Sequence, residues 1–219
     1  LVSDFSAEKR IFVPYNSIPK IVINSFLSAE DKNFFTHPGV DAKGVLRAVI
    51  NNVKNYLSSK RLEGASTITQ QVAKNFLLTN EVSFDRKIKE ALLALRIERT
   101  LSKEKIIELY LNEIFLGLRS YGIVVAAKNY FDKSLEDLNL AEIAYLAGLP
   151  KGPNNYHPVK NPNLAKSRRN YVLRRLLDEG VIHSRDYNNS LSQDISVPKK
   201  SISLNFTAEY FTEEVRKIL

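Results

Sequence analysis

The chain has 219 residues, 44% of them hydrophobic and 26% charged, and its 32 Lys and Arg against 24 Asp and Glu give a formal net charge of +8. That balance fits an ordered globular protein with a real core, and the positive field favours phosphate-bearing partners: nucleic acid, anionic lipid headgroups or a pyrophosphate. The lack of cysteine excludes disulfides, thiolate chemistry and metal binding through sulfur, and no apolar run approaches the ~20 residues needed to span a bilayer.

In chain order, "SIPKIVINSFLSAEDKNFF" (17–35) predicts a helix capped by Ser17 with Pro19 in its first turn, ended by "HPG" (37–39). "DAKGVLRAVINNVKNYL" (41–57) repeats apolar residues at helical spacing, and the polar "SSKRLEGAS" after it reads as a loop, with weak order expected near residues 55–64. Another helix starts near Thr67. Two more, at 83–101 and 102–117, each open on a serine, and the second closes on Gly117; they are expected to pack as neighbours. Helices around "YGIVVAAKNYF" and in "NLAEIAYLAGLP" follow, then the loop "KGPNNYHP" (151–158) and a basic amphipathic helix over 163–180. The longest strand-like stretch is "SISLNF" (201–206), so the class is mainly α.

Three helix faces carry residues that a plain core or a plain surface does not need. Ile23, Leu27, Glu30 and Phe34 fall in one stripe, which sets a carboxylate among apolar side chains; desolvation there raises its pKa toward the range of a general base or acid. An exposed, solvated helix end is the equal alternative. Thr67, Gln70, Gln71 and Lys74 share a second face, either an ordinary polar face begun by a T-x-x-Q capping box or a groove for sugar or phosphate beside a helix N-terminus. Arg86, Glu90, Leu93 and Ile97 share a third, flanked by Lys87 and Lys89; read by itself, it is a surface Arg86–Glu90 pair worth about 0.3–0.5 kcal/mol. Taken together, two carboxylates and several cations suit acid/base work at a glycosidic centre with a phosphate leaving group.

Five ordered segments, "EDKNFFTHPG", "GASTITQQVAKN", "RKIKE", "KIIELYLN" and "RSYGIVVAA", resemble the five motifs of the family 51 glycosyltransferases, the peptidoglycan polymerases of class A penicillin-binding proteins and monofunctional transglycosylases. The resemblance covers roughly residues 17–160. It implies a lysozyme-like fold with a larger head and a smaller membrane-facing jaw around an extended cleft. It also implies polymerisation of lipid II into β-1,4-linked glycan with inversion and release of undecaprenyl pyrophosphate. Carried over, Glu30 is the base and Glu90 the second acid, which organises the diphosphate or its divalent cation (Mg or Mn). Lys74, Arg86 and Lys89 neutralise the diphosphate; Ser66, Thr67, Gln70 and Gln71 line the cleft; Asp31, Phe34 and His37 shape the Glu30 pocket, with a helix-ending structural role for His37 equally open. Asn112 and Arg119 complete the substrate-binding set. Val82 stands where family members commonly carry an arginine, so Arg119 is the candidate replacement.

The resemblance further implies moenomycin binding, cell-wall synthesis partners, and a place on the outer face of the bacterial cytoplasmic membrane. Residues 1–205 read as the polymerase domain and 206–219 as the start of a linker toward a transpeptidase domain; an anchor helix is expected ahead of Leu1. Against this stand a lysozyme-like hydrolase or lytic transglycosylase, which ejects a sugar and needs no cationic pocket, a nucleic-acid binder using "KSRRNYVLRR" (166–175), and a helical adaptor indifferent to Glu30→Gln.

Overall fold

A computed structural model describes residues 11–57, 66–77 and 83–197. Among these residues the secondary structure is nine α-helices, two single 3-10 turns and one isolated bridge between Phe115 and Tyr121, with no strand. The mainly α expectation holds. The strand at 201–206, the linker at 206–219, the loop at 58–64 and Val82 lie outside the described residues.

Helix α1 (Lys20–Glu30) starts later and stops earlier than its apolar pattern predicts. Ser17 closes a 3-10 turn instead of capping, and Pro19 is the N-cap. At the other end Asp31 leaves the helical region at φ −157 while its N–H still donates to the Leu27 carbonyl. Phe34 therefore belongs to the following turns and does not continue the stripe of Ile23 and Leu27. Helix α2 (Ala42–Leu57) begins where Asp41 Oδ1 accepts from the Gly44 N–H at 2.9 Å. Helix α3 (Ile68–Leu77) opens with the capping box its sequence allows: Thr67 Oγ1 accepts from Gln70 N, and Gln70 Oε1 accepts from Thr67 N.

Serines 83 and 102 cap α4 (Phe84–Thr100) and α5 (Lys103–Glu113) as predicted. Helix α5 ends at Glu113 rather than at Gly117 because the chain turns into a tight hairpin, in which Leu118 and Arg119 both take positive φ. Helices α6 (Ile123–Phe131), α7 (Leu140–Gly148) and α8 (Pro162–Asp178) follow the sequence reading, whereas α9 (Ser184–Ser192) was not anticipated, its sequence being mostly polar.

Packing centres on α7, which touches α1, α6, α8 and α9, while α3 joins α4 to α5. Phe26, Tyr110, Tyr130, Tyr145 and Leu146 are fully or nearly fully buried in one continuous core. Gly148 lets α7 and α8 close up: a Cβ there would lie 2.9 Å from Arg168 Cγ. Arg169, fully buried, donates to the carbonyls of Leu191 and Gln193 and so ties the end of α9 to α8.

Candidate active site

A cleft of about 870 Å³ opens between the end of α1, the first turns of α2 and α3, the start of α4, and one face of α8. Eight cations and four carboxylates line it. Its floor is Glu30, the last residue of α1, whose side chain is 13% exposed. Gln71 Nε2 donates to Glu30 Oε2 at 3.1 Å, and Arg168 Nη2 lies 3.4 Å from Oε1. Burial pushes the Glu30 carboxyl above the usual carboxylate range; Arg168, the Gln71 hydrogen bond and Lys151 pull it back, and Asp31 adds to the rise. Its position at the C-terminal, negative end of a helix dipole disfavours ionisation in the same sense.

Asp31 does different work. Both of its oxygens lie 3.0 Å from His37 Nε2, and Oδ2 also accepts from the Ile68 N–H, the first of α3, at 2.9 Å. His37 Nδ1 accepts from Gly39 N at 3.1 Å, which assigns the ring proton to Nε2. The carbonyl of Gly39 accepts from Thr67 Oγ1 at 2.6 Å. Gly39 has φ 101, and a Cβ would meet the Ala94 carbonyl oxygen at 2.8 Å, so no other residue fits this crossing. The ring of hydrogen bonds fastens the turn after α1 to the N-terminus of α3 and holds Gln71 over Glu30.

The second carboxylate, Glu90, is 2% exposed. Lys87 Nζ lies 2.6 Å from Oε2 and also donates to Ser66 Oγ at 2.7 Å; Arg86 Nε is 3.3 Å from Oε1 without hydrogen-bond alignment. This is a buried acid held by two cations at the cleft wall, the partly buried Arg86 and the exposed Lys87, not the exposed pair that helical spacing alone describes. Lys74, exposed on α3, also lines the cleft.

Nine expected residues thus meet in one cleft: Glu30, Asp31, Ser66, Thr67, Gln70, Gln71, Lys74, Arg86 and Glu90. Five do not line it. Lys89 is exposed elsewhere on α4, because Lys87 is the lysine one turn from Glu90 that faces the wall. Phe34 and His37 sit behind Asp31, packed edge to face, with Lys103 Nζ 4.4 Å from the Phe34 ring centre; their part is support. Asn112 exchanges hydrogen bonds with both backbone groups of Val13 and anchors the N-terminal segment to α5. Arg119 is exposed on the hairpin after α5, turned out by its left-handed backbone, and does not line the cleft. Sequence reasoning missed Arg168, Tyr171 and Arg175 on α8 and Lys151 before it, all of which line the cleft. Their i, i+3, i+7 spacing on α8 was the available signal, and a basic run on an amphipathic helix reads first as a solvated face.

The family model described as "Transglycosylase" matches residues 1–177. Penicillin-binding protein 1A of Rickettsia prowazekii (strain Madrid E) is 48% identical over 217 residues, which are 99% of this chain and 28% of the relative. Penicillin-binding protein 1A of Neisseria flavescens is 46% identical over 219 residues, 100% of this chain and 27% of the relative. The crystal structure of penicillin-binding protein 1A from Haemophilus influenzae matches with a TM-score of 0.53 and 29% identity, over 96% of this chain and 21% of that one. The chain therefore spans under a third of the length of these relatives, while the family match takes in most of its residues. On these grounds the chain belongs to the transglycosylase family.

Proposed function

We propose that this chain is a peptidoglycan glycosyltransferase, the polymerase part of a class A penicillin-binding protein, and that it lengthens a glycan strand from lipid II. The observation that carries the reading is Glu30, a sheltered carboxyl with a raised pKa on the floor of a cleft rich in cations. Glu30 takes the proton of the acceptor's GlcNAc 4-hydroxyl as that oxygen attacks C1 of the growing chain's MurNAc. The C1–O bond to undecaprenyl pyrophosphate breaks from the opposite face with its electron pair, and the linkage inverts to β-1,4. Lys74, Arg86 and Lys87 receive the developing diphosphate charge. Glu90 holds the latter two in place.

Among the described residues no group of three His, Asp or Glu side chains converges, and Glu90 already faces two cations. This donor set does not fit a Mg or Mn ion held by protein ligands, and no step runs through one. Also among the described residues, no helix is long and apolar enough to cross a membrane. Val45 and Leu46, exposed on α2 beside the cleft, support contact with a membrane surface that carries the lipid-linked donor. The proposed setting is the outer face of the bacterial cytoplasmic membrane, beside the cell-wall synthesis machinery.

Polymerisation of lipid II in detergent by wild type, Glu30→Gln and Glu90→Gln tests the assignment. Glu30→Gln should lose about 10²–10⁴-fold in rate, the range for a general base; wild-type rates in both variants refute it. Moenomycin at saturation should raise the melting temperature, and no shift counts against the cleft as the donor site.

A further inference from the structure

Tyr110 lies in "KIIELYLN", and none of the chemistry above uses it. Its ring is 1% exposed and stands edge-on to Phe26 of α1, centroids 6.3 Å apart at 78°. Phe26 and Glu30 are i and i+4 on α1, hence on one face, so the Tyr110 ring packs against the residue one turn before Glu30. Its hydroxyl is buried and has no hydrogen-bond partner among the described residues. The neighbouring core tyrosines are satisfied: Tyr130 donates to the Leu116 carbonyl and Tyr145 to that of Tyr156. A native core seldom leaves a hydroxyl unpaired without a use for it.

The groups that face Glu30 are one-sided. Gln71 of α3 and Arg168 of α8 both donate to it, Lys151 adds positive charge, and Asp31 adds negative charge. As they stand, Gln71 Nε2 and the guanidinium are donors only, Gln71 can offer its Oε1 only by turning the amide over and giving up its own donation, and the Asp31 oxygens already serve His37 and Ile68. The carboxylate is well served; a protonated Glu30 meets only donors in this arrangement. We infer that Tyr110 is a positioning residue whose hydroxyl oxygen accepts the hydrogen bond of Glu30 once Glu30 has taken the proton of the sugar hydroxyl. No proton passes to the phenol. Glu30 keeps the transferred hydrogen as a carboxylic O–H directed at Tyr110 Oη after a change of side-chain rotamer, and the phenol keeps its own. Burial and the nearby charges of Glu30 and Asp31 hold the phenol well above its usual pKa, which keeps it neutral throughout.

The inference rests on Glu30 being the base, so Glu30→Gln is assayed beside Tyr110→Phe. An active Glu30→Gln removes the base assignment itself and the inference with it. With Glu30→Gln inactive, Tyr110→Phe is expected to lower kcat about tenfold, the worth of one hydrogen bond, with KM unchanged. The acidic limb of its kcat profile should move to lower pH, because neutral Glu30 has lost its acceptor, and its melting temperature should hold or rise. The second measurement needs no turnover: the Glu30 pKa, read by carbon-13 NMR of labelled glutamate carboxyls, should fall in Tyr110→Phe. An unchanged or raised Glu30 pKa overturns the inference, as does a loss of kcat with the acidic limb unmoved, or a profile identical to wild type.

Discussion

Asp31→Asn isolates the support beneath the proposed base from the base itself. Two donors, His37 Nε2–H and Ile68 N–H, converge on a carboxylate that is 7% exposed. An asparagine offers one oxygen and one NH2 group, so at least one of these N–H groups meets another donor. His37 cannot relieve the clash by moving its proton to Nδ1, because that nitrogen accepts from the Gly39 N–H. The variant loses at least one buried bond to a charged group, about 1.5–3 kcal/mol. It also loses a negative charge at the N-terminus of α3, about 0.3–1 kcal/mol, for a total of about 2–4 kcal/mol. In a domain of this size each kcal/mol moves the melting temperature by about 2–4 °C, so a fall of about 5–15 °C is expected by circular dichroism at neutral pH. Paired with His37→Phe in a double-mutant cycle, the two changes should couple by about 1 kcal/mol or more. A melting temperature equal to wild type, or strict additivity in the cycle, refutes the reasoning.

Glu30→Gln should stabilise the fold at neutral pH. Burial raises the Glu30 pKa in the folded state above 4.5, so the folded protein binds this proton more tightly than the unfolded chain, and stability falls as pH rises from 4.5 through the folded value. The gain in melting temperature should therefore vanish below pH 4.5, and a gain independent of pH contradicts the sign. Arg168→Ala removes the charge that most opposes the burial of Glu30; the acidic limb of the kcat profile should move to higher pH, opposite to Tyr110→Phe, and a shift downward contradicts the electrostatics. Arg169→Met strips the donors from the Leu191 and Gln193 carbonyls at a cost of about 1–3 kcal/mol. Hydrogen exchange should quicken in α9 and not in α3; unchanged protection of α9 means that Arg169 does not dock it.

What the sequence disclosed follows the range of the forces involved. Helix starts rest on a side chain and the backbone three residues on, and Ser83, Ser102 and the Thr67–Gln70 box were legible because cause and effect lie in one turn. Helix ends were less so: α1 stops at Glu30 because Asp31 is claimed by His37 and by Ile68, the latter 37 residues away. Glu30 stood out because it shares a stripe with apolar residues of its own helix, whereas Glu90, which by itself reads as a surface pair, was singled out by the motif resemblance. At the flank of Glu90 the resemblance pointed to Lys89, two residues from Lys87, the lysine at i, i+3 spacing whose Nζ also meets Ser66 in the fold. Arg168, 138 residues from Glu30, carried only the helical spacing of a basic run, which reads first as a solvated face; only the folding of α7 against α8 at Gly148 brings it to Glu30.

Neighbouring acids on a chain have nearly the same intrinsic chemistry, and what separates Glu30 from Asp31 is the direction of the backbone at their junction. Glu30 is the final helical residue, with its side chain over the cleft and the negative end of α1 beneath it. Asp31, at φ −157, turns its side chain inward to the positive end of α3. A helix one residue longer would put Asp31 on the α1 surface and leave the Ile68 N–H without its carboxylate. A helix one residue shorter would release Glu30 from the Gln71 and Arg168 contacts that fix its orientation. Arg175, by donating to the Ser28 carbonyl at 3.1 Å, and Asp31, by donating to that of Leu27, set the stop where it is. The division between one acid that holds the fold and one turned to the cleft, the proposed base, is therefore a consequence of where α1 ends, and Arg175 of α8 takes part in fixing it.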